Sequence, residues 1–200
     1  MANILVLNSS VLGDGSVSRG LVAEAVGRLL KAHPGATVVE RDLGVTPMPH
    51  LVTANVAGVR GVAATAPELA ARALSDKLIA ELRAADIIVI GAPMYNFSIS
   101  TGLRAWFDYV LRAGETFKYS EAGPQGLLSG KRVIVVETRG GLYSEGPAKA
   151  IDFQEPYLRT LLGFIGLSDV TFVHAEKLGF GPDAREAAVA GAKQALAAAA

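Results

Sequence analysis

No cysteine occurs among the 200 residues, which removes disulfides, thiolate nucleophiles and cysteine-ligated metals from consideration. Charge of one sign is lacking as well. Lys and Arg number 19 and so do Asp and Glu, so there is no basic footprint for nucleic acid. His33, His50 and His174 stand singly, without metal-site spacing, and surface or packing roles are expected for them, with no metal. No run approaches the roughly 18 uncharged apolar residues of a membrane helix. The Gly-x-Ser-x-Gly elbow of α/β-hydrolases is missing. The stretch Gly126 to Arg132 imitates a phosphate-binding P-loop, but it is one residue short, ends in Arg132 where Ser or Thr is needed, and precedes a strand. Met1 to Leu7 has no basic segment before its short apolar run, so no signal peptide is expected and the cytoplasm is the expected compartment.

What is present is a folding composition, 50% hydrophobic and 19% charged, long enough for one domain over residues 1–200. Apolar β-branched runs at Asn3–Leu7, Thr37–Asp42, Ile87–Gly91, Lys131–Glu137 and Val170–His174 read as strands. Between them lie helical periods: one after Ser18, which is placed to cap it, then Pro67–Ala84, Thr101–Arg112, Phe153–Ile165 and a last helix from Pro182. Residues 44–67 show no clear period, and Gly114–Leu128 is a polar, aromatic excursion. The alternation predicts an α/β fold, a doubly wound, flavodoxin-like five-stranded parallel sheet of order 2-1-3-4-5 with helices on both faces.

In that order the ends of strands one, three and four lie side by side, and ligands bind where they do. The loop Ser9–Arg19 offers hydroxyls and glycines before a helix, a setting for an anion. A phosphate monoester would fit Ser10, Ser16, Ser18 and nearby amides, with Arg19 close by, provided the Asp14 carboxylate points outward. An ordinary helix cap and turn would give the same pattern. The loop after strand three, Pro93–Thr101, carries Met94, Tyr95, Asn96 and Phe97 in succession, which cannot all point inward and suit a flat, polar-edged ring. After strand four, Thr138, Arg139, Gly140 and Gly141 let a backbone approach a ligand closely, although a plain turn also uses paired glycines.

These residues resemble the FMN-dependent NADH-azoreductase family. The likeness runs through Ser9-Ser10 and Ser16-x-Ser18, then Pro93-Met94-Tyr95-Asn96-Phe97-x-Ile99-Ser100-Thr101 and Arg112-Ala113-Gly114-x-Thr116-Phe117-x-Tyr119. It continues in Gly123-Pro124-x-Gly126-Leu127, Arg139-Gly140-Gly141 and Leu162-Gly163-Phe164-Ile165-Gly166. The resemblance implies a homodimeric flavoprotein that reduces azo compounds and quinones with NADH or NADPH in a ping-pong cycle. It implies that Ser10 and Ser16, Val17 and Ser18 hold the FMN phosphate. It further implies that Met94, Tyr95, Asn96 and Phe97, with Thr138, Arg139, Gly140 and Gly141, line the isoalloxazine ring.

No side chain is an evident general acid, so the cofactor is expected to carry the hydride chemistry. Asn96 is a candidate for the N5 edge of the ring, the N–H groups of Gly140 and Gly141 for its pyrimidine side, and Phe97 and Tyr119 for the walls of the substrate site. Two other readings stand beside this one. A dinucleotide-binding dehydrogenase would use Gly13-x-Gly15 and Glu40 or Asp42, but Ser18 breaks its fingerprint. A flavodoxin-type electron carrier would bind FMN without an organic substrate, but such carriers are usually acidic and this chain is neutral.

Overall fold

The computed structural model describes residues 1–199. Its parallel sheet is built from β1 (Asn3–Asn8), β2 (Thr37–Asp42), β3 (Ile87–Pro93), β6 (Arg132–Thr138) and β7 (Asp169–Ala175), in the order β2-β1-β3-β6-β7. A two-stranded hairpin, β4 (Phe117–Ser120) and β5 (Gly123–Gly126), occupies the polar excursion, so the fourth and fifth strands of the sheet are β6 and β7. The expected order is therefore recovered once the hairpin strands are set aside.

Strand alternation divides the core. On β1, β3 and β6 the residues Ile4, Val6, Ile87, Val89, Ile134 and Val136 face one side, and the helices α1 (Val17–Ala32) and α6 (Pro182–Ala199) cover them. Leu5, Leu7, Ile88, Ile90, Val133 and Val135 face the other, under α3 (Ala66–Ala84), α4 (Thr101–Val110) and α5 (Glu155–Phe164). A short α2 (Ala57–Arg60) lies in the stretch without period and packs on α3.

Local chemistry sets the helix starts. Thr65 and Glu68 form a capping box for α3, and the Ser100 hydroxyl accepts from the Leu103 N–H at 3.2 Å to begin α4. The cap of α1 is Ser16, whose hydroxyl accepts from the Arg19 N–H at 3.2 Å, and not Ser18. Ser18 already has helical geometry and is buried. Two serines two residues apart both satisfy the composition of a cap, and only the first sits where the backbone is still extended.

Candidate active site

The register brings the strand ends together. Asn8 of β1 pairs with Gly91, Pro93 of β3 with Thr138, and Thr138 of β6 with Ala175. Four strands thus finish along one edge of the sheet, and a cavity of about 300 Å³ opens there. Its walls are Ser10, Leu12, Gly15, Ser16 and Val17 from the first loop, Pro93, Met94 and Tyr95 from the second, and Thr138, Arg139 and Gly140 from the third. Leu178, Gly179 and Arg185, beyond β7, complete it.

The first loop presents donors. Ser10, Ser16 and Ser18 are all buried, and the Ser16 and Ser18 hydroxyls lie 3.0 Å apart. The Val17 and Ser18 N–H groups, in the first turn of α1, have no acceptor among the described residues. Asp14 is exposed and lines no part of the cavity. Arg19, expected beside the anion, is bound instead to Asp42, an attraction that raises its pKa. The loop is held from outside the site by Gly44, where any Cβ would stand 2.0 Å from the Ser10 carbonyl oxygen. Only glycine permits that approach, and sequence reading had no reason to single it out.

The second loop is a tight turn. Tyr95 and Ser98 exchange backbone hydrogen bonds at 2.9 and 3.1 Å, leaving Asn96 at φ 47° and Phe97 at φ 72°. Two consecutive left-handed residues without glycine cost on the order of 1–3 kcal/mol each, and such strain gathers at functional sites. The Asn96 N–H has no acceptor among the described residues. The Tyr95 hydroxyl accepts from the Val11 N–H at 3.1 Å, tying the second loop to the first. The Met94 N–H donates to the Thr138 carbonyl at 2.9 Å, tying it to the third.

Beneath the third loop the Arg139 guanidinium is fully buried. Its Nη2 lies 2.6 Å from Glu137 and 3.1 Å from Asp152, its Nη1 lies 3.1 Å from Glu176, and its Nε donates to the Gln154 amide oxygen at 2.9 Å. The Gln154 Nε2 donates in turn to the Ala92 carbonyl at 2.7 Å, at the end of β3. Glu176 accepts from the Tyr143 and Ser144 N–H groups at 2.8 and 3.0 Å. The backbone of Arg139 therefore borders the cavity while its side chain braces the loop from behind. Gly140 and Gly141 keep their own N–H groups without an acceptor among the described residues.

His174 is not isolated in space. Its Nε2 lies 2.8 Å from Glu155 and 3.1 Å from Glu137. Hydrogen bonding to Glu137 raises the His174 pKa, while burial pushes the Glu137 carboxyl up against the pull of His174 and Arg139. Burial would also raise Glu155, but hydrogen bonds from Arg159 and His174 hold it below the ordinary carboxylate range. Glu137, Glu155 and His174 come within 4.8 Å of one another, and Arg139 supplies the positive charge at that point. None of these partners is near His174 in sequence except through the parallel register of β6 and β7, which pairs Glu137 with it.

Of the residues singled out from sequence, Ser10, Ser16, Val17, Met94, Tyr95, Thr138, Arg139 and Gly140 line the one cavity. Ser18, Asn96, Phe97 and Gly141 belong to its loops without lining it. Phe97 is 44% exposed and meets Tyr143 edge-on, ring centroids 6.2 Å apart. Tyr119 lines a different cavity, with Arg60, Arg72, Arg112 and Phe117. Leu178, Gly179 and Arg185 have no local signal; a close approach marks Gly179, where a Cβ would stand 3.2 Å from the Gly140 carbonyl oxygen.

Comparison with known proteins places this arrangement. The family described as Flavodoxin-like fold matches residues 2–200. An FMN-dependent NADH:quinone oxidoreductase of Hyphomonas neptunium is 69% identical over 193 residues, covering 96% of this chain and 93% of its own. One of the same description from Ralstonia nicotianae is 54% identical, covering 96% and 94%. Among solved structures, an azoreductase from Bacillus anthracis superposes with a TM-score of 0.90 at 33% identity, over 100% of this chain and 99% of its own.

Proposed function

The chain belongs to the family of the Flavodoxin-like fold, and from that premise we infer that it is an FMN-dependent NAD(P)H oxidoreductase that reduces quinones and azo compounds. The observation that carries this reading is the cavity at the strand ends. It has hydroxyls and unused N–H groups at the start of a helix, unused N–H groups in the opposing loop, and no carboxylate on its walls.

That donor set fits a phosphorylated, electron-accepting ring. A phosphate monoester is matched by the Val17 and Ser18 N–H groups and the Ser10 and Ser16 hydroxyls, where the dipole of α1 favours negative charge. The Gly140 and Gly141 N–H groups are without an acceptor among the described residues, in a loop that Arg139, Glu176 and Gln154 hold in place, so they would stabilise negative charge without moving. Met94 and Tyr95 would hold the ring between these two ends, and the Asn96 N–H offers a donor at its edge.

Bound FMN supplies two-electron hydride transfer between a reduced nicotinamide and an acceptor. The protein's part is binding, orientation and electrostatics. Arg139 and the carboxylates around it balance one another below the loop, leaving no acid on the cavity wall to complete a proton transfer. The proton that accompanies reduction of the acceptor is thus assigned to solvent.

The same proposal includes a ping-pong order, a homodimer and a cytoplasmic location. A single exposed face of the bound ring, reached by donor and acceptor in turn, would give the first. Phe97 and Phe153, joined by a backbone hydrogen bond at 3.0 Å and exposed at 44% and 59%, with Tyr119 at 73%, support the second as aromatic surface that a second copy would cover. The third is supported by the electron donor in the relatives' name, a metabolite of the cell interior. No helix of the described residues is long and apolar enough to cross a membrane.

The test is the visible spectrum of the purified chain with FMN, followed by anaerobic NADH and then a quinone. Bleaching by NADH and return of colour with quinone are expected, with parallel initial-rate lines for ping-pong order. Sedimentation at micromolar concentration reads the dimer. A chain that takes up no FMN would sink the reading.

A further inference from the structure

A dianion in this cavity would be held more tightly beside a cation, and the one nearest in sequence is occupied elsewhere. Arg19 stands in the first turn of α1 but is bound to Asp42 at the end of β2, and it does not line the cavity. Arg139 does line it, yet Glu137, Asp152 and Glu176 take up its guanidinium below the loop. The remaining cation on the wall is Arg185, in the first turn of α6. Among the described residues Arg185 makes no ion pair and no side-chain hydrogen bond.

The placement runs against local preference. The start of a helix carries partial positive charge, so a first-turn arginine is disfavoured there unless an anion is near. Asp183, in the same turn, does not line the cavity. The fold explains how Arg185 reaches this cavity. Helices α1 and α6 pack side by side over the same face of the sheet, so both begin at the edge where the strands finish. Arg185 therefore shares a cavity with Ser16 and Val17 although the chain separates them almost completely.

We propose that Arg185 is a specificity-determining residue of the flavin site, its guanidinium binding the terminal phosphate monoester so that the chain selects FMN over unphosphorylated riboflavin. This rests on the FMN reading above. Neutral hydroxyls and amides solvate a dianion, but a charge-assisted contact discriminates a phosphate from a hydroxyl more sharply. Because Arg185 is exposed, its contribution is screened by salt.

The experiment is equilibrium titration of the flavin-free full chain with FMN and, separately, with riboflavin, followed by quenching of flavin fluorescence at low and high salt. Arg185→Gln is expected to weaken FMN roughly tenfold at low salt, to leave riboflavin within about twofold, and to flatten the salt dependence of FMN binding. Arg185→Lys keeps the charge and is expected to recover part of the loss. An unchanged ratio of FMN to riboflavin affinity in Arg185→Gln, or equal weakening of both flavins, overturns the proposal. A native chain that binds neither flavin would instead overturn the FMN reading itself, and this inference with it. Thermal unfolding of the flavin-free Arg185→Gln variant, expected to equal or slightly exceed that of the native chain, separates a binding defect from a folding one.

Discussion

Glu137 near the end of β6 and Arg139 just beyond it meet at 2.6 Å with both side chains wholly out of solvent. The pair does not touch the cavity with its charges, yet it decides where Gly140 and Gly141 stand. Removing Arg139 takes the shared cation from three carboxylates and leaves Glu137, fully buried, with His174 as its remaining partner, which costs roughly 3–5 kcal/mol. Arg139→Met is expected to lower stability by that amount in urea denaturation, with Glu137, Asp152 and Glu176 left facing one another. Adding Glu137→Met should recover part of the loss, since one of the stranded carboxylates is then gone. Additive losses in the double variant would contradict this coupling.

The same cluster sets the pH dependence of stability. Folding raises the pKa of His174, mainly by its hydrogen bond to Glu137, and of Glu137, mainly by burial. Both groups therefore bind protons more tightly in the folded chain. Their contribution is full below the unfolded values and is lost as pH rises through the folded ones. Glu155 and Glu176, both held low by hydrogen bonds against the effect of burial, act in the opposite sense and lose their contribution as pH falls below about 4.5. Maximum stability is expected between these limbs, in the weakly acidic range, with the urea midpoint declining above pH 6.5. His174→Gln should flatten that decline, and an unaltered slope would show that His174 is not its source.

Tyr95 offers a test of how the loops are joined. Its hydroxyl accepts from the Val11 N–H at 3.1 Å and sits 3.5 Å from the Ser10 hydroxyl. Tyr95→Phe keeps the ring and removes that link, at a cost of about 1 kcal/mol for the lost hydrogen bond. FMN affinity is expected to fall several-fold, because the Ser10 to Ser16 loop loses its anchor, while the far-UV spectrum stays the same. Undiminished affinity would mean that the first loop is held by Gly44 and the Ser16 cap alone.

The parts legible in the sequence are those whose signal is local. The unbroken apolar, β-branched run at Ile87 to Ile90 and helical spacing through Leu103, Phe107 and Val110 correspond to the strand and helix found there. Proline and hydroxyls marked the helix starts, to within the two residues that separate Ser18 from the true cap Ser16. What local reading missed depends on pairing across the chain. Arg19 looked like a cation for an anion site because nothing nearby in sequence competes for it, and only the parallel register of β1 and β2 delivers Asp42 to it. His174 looked solitary until the β6–β7 register set Glu137 beside it, and α5 then added Glu155. The hairpin of β4 and β5 went unrecognised because its strands are four residues each and hold Pro124 and two glycines.

Phe97 carries the strain of the second loop in its most unfavourable form, a bulky side chain at φ 72° that is 44% exposed. Such a residue gains little from burial and loses on the order of 1–2 kcal/mol to its backbone, so something other than stability keeps it there. Glycine pays none of that conformational cost at positive φ. Phe97→Gly is therefore expected to leave thermal stability equal or higher, despite the lost ring contact with Tyr143. In the proposed role the ring walls the acceptor site, so kcat/KM for a quinone should fall at least tenfold, about 1.4 kcal/mol of lost transition-state stabilisation. FMN affinity should change far less, because the side chain does not line the cavity. A variant less stable than the native chain but equally active would assign Phe97 to packing and leave the turn without a catalytic reason for its strain.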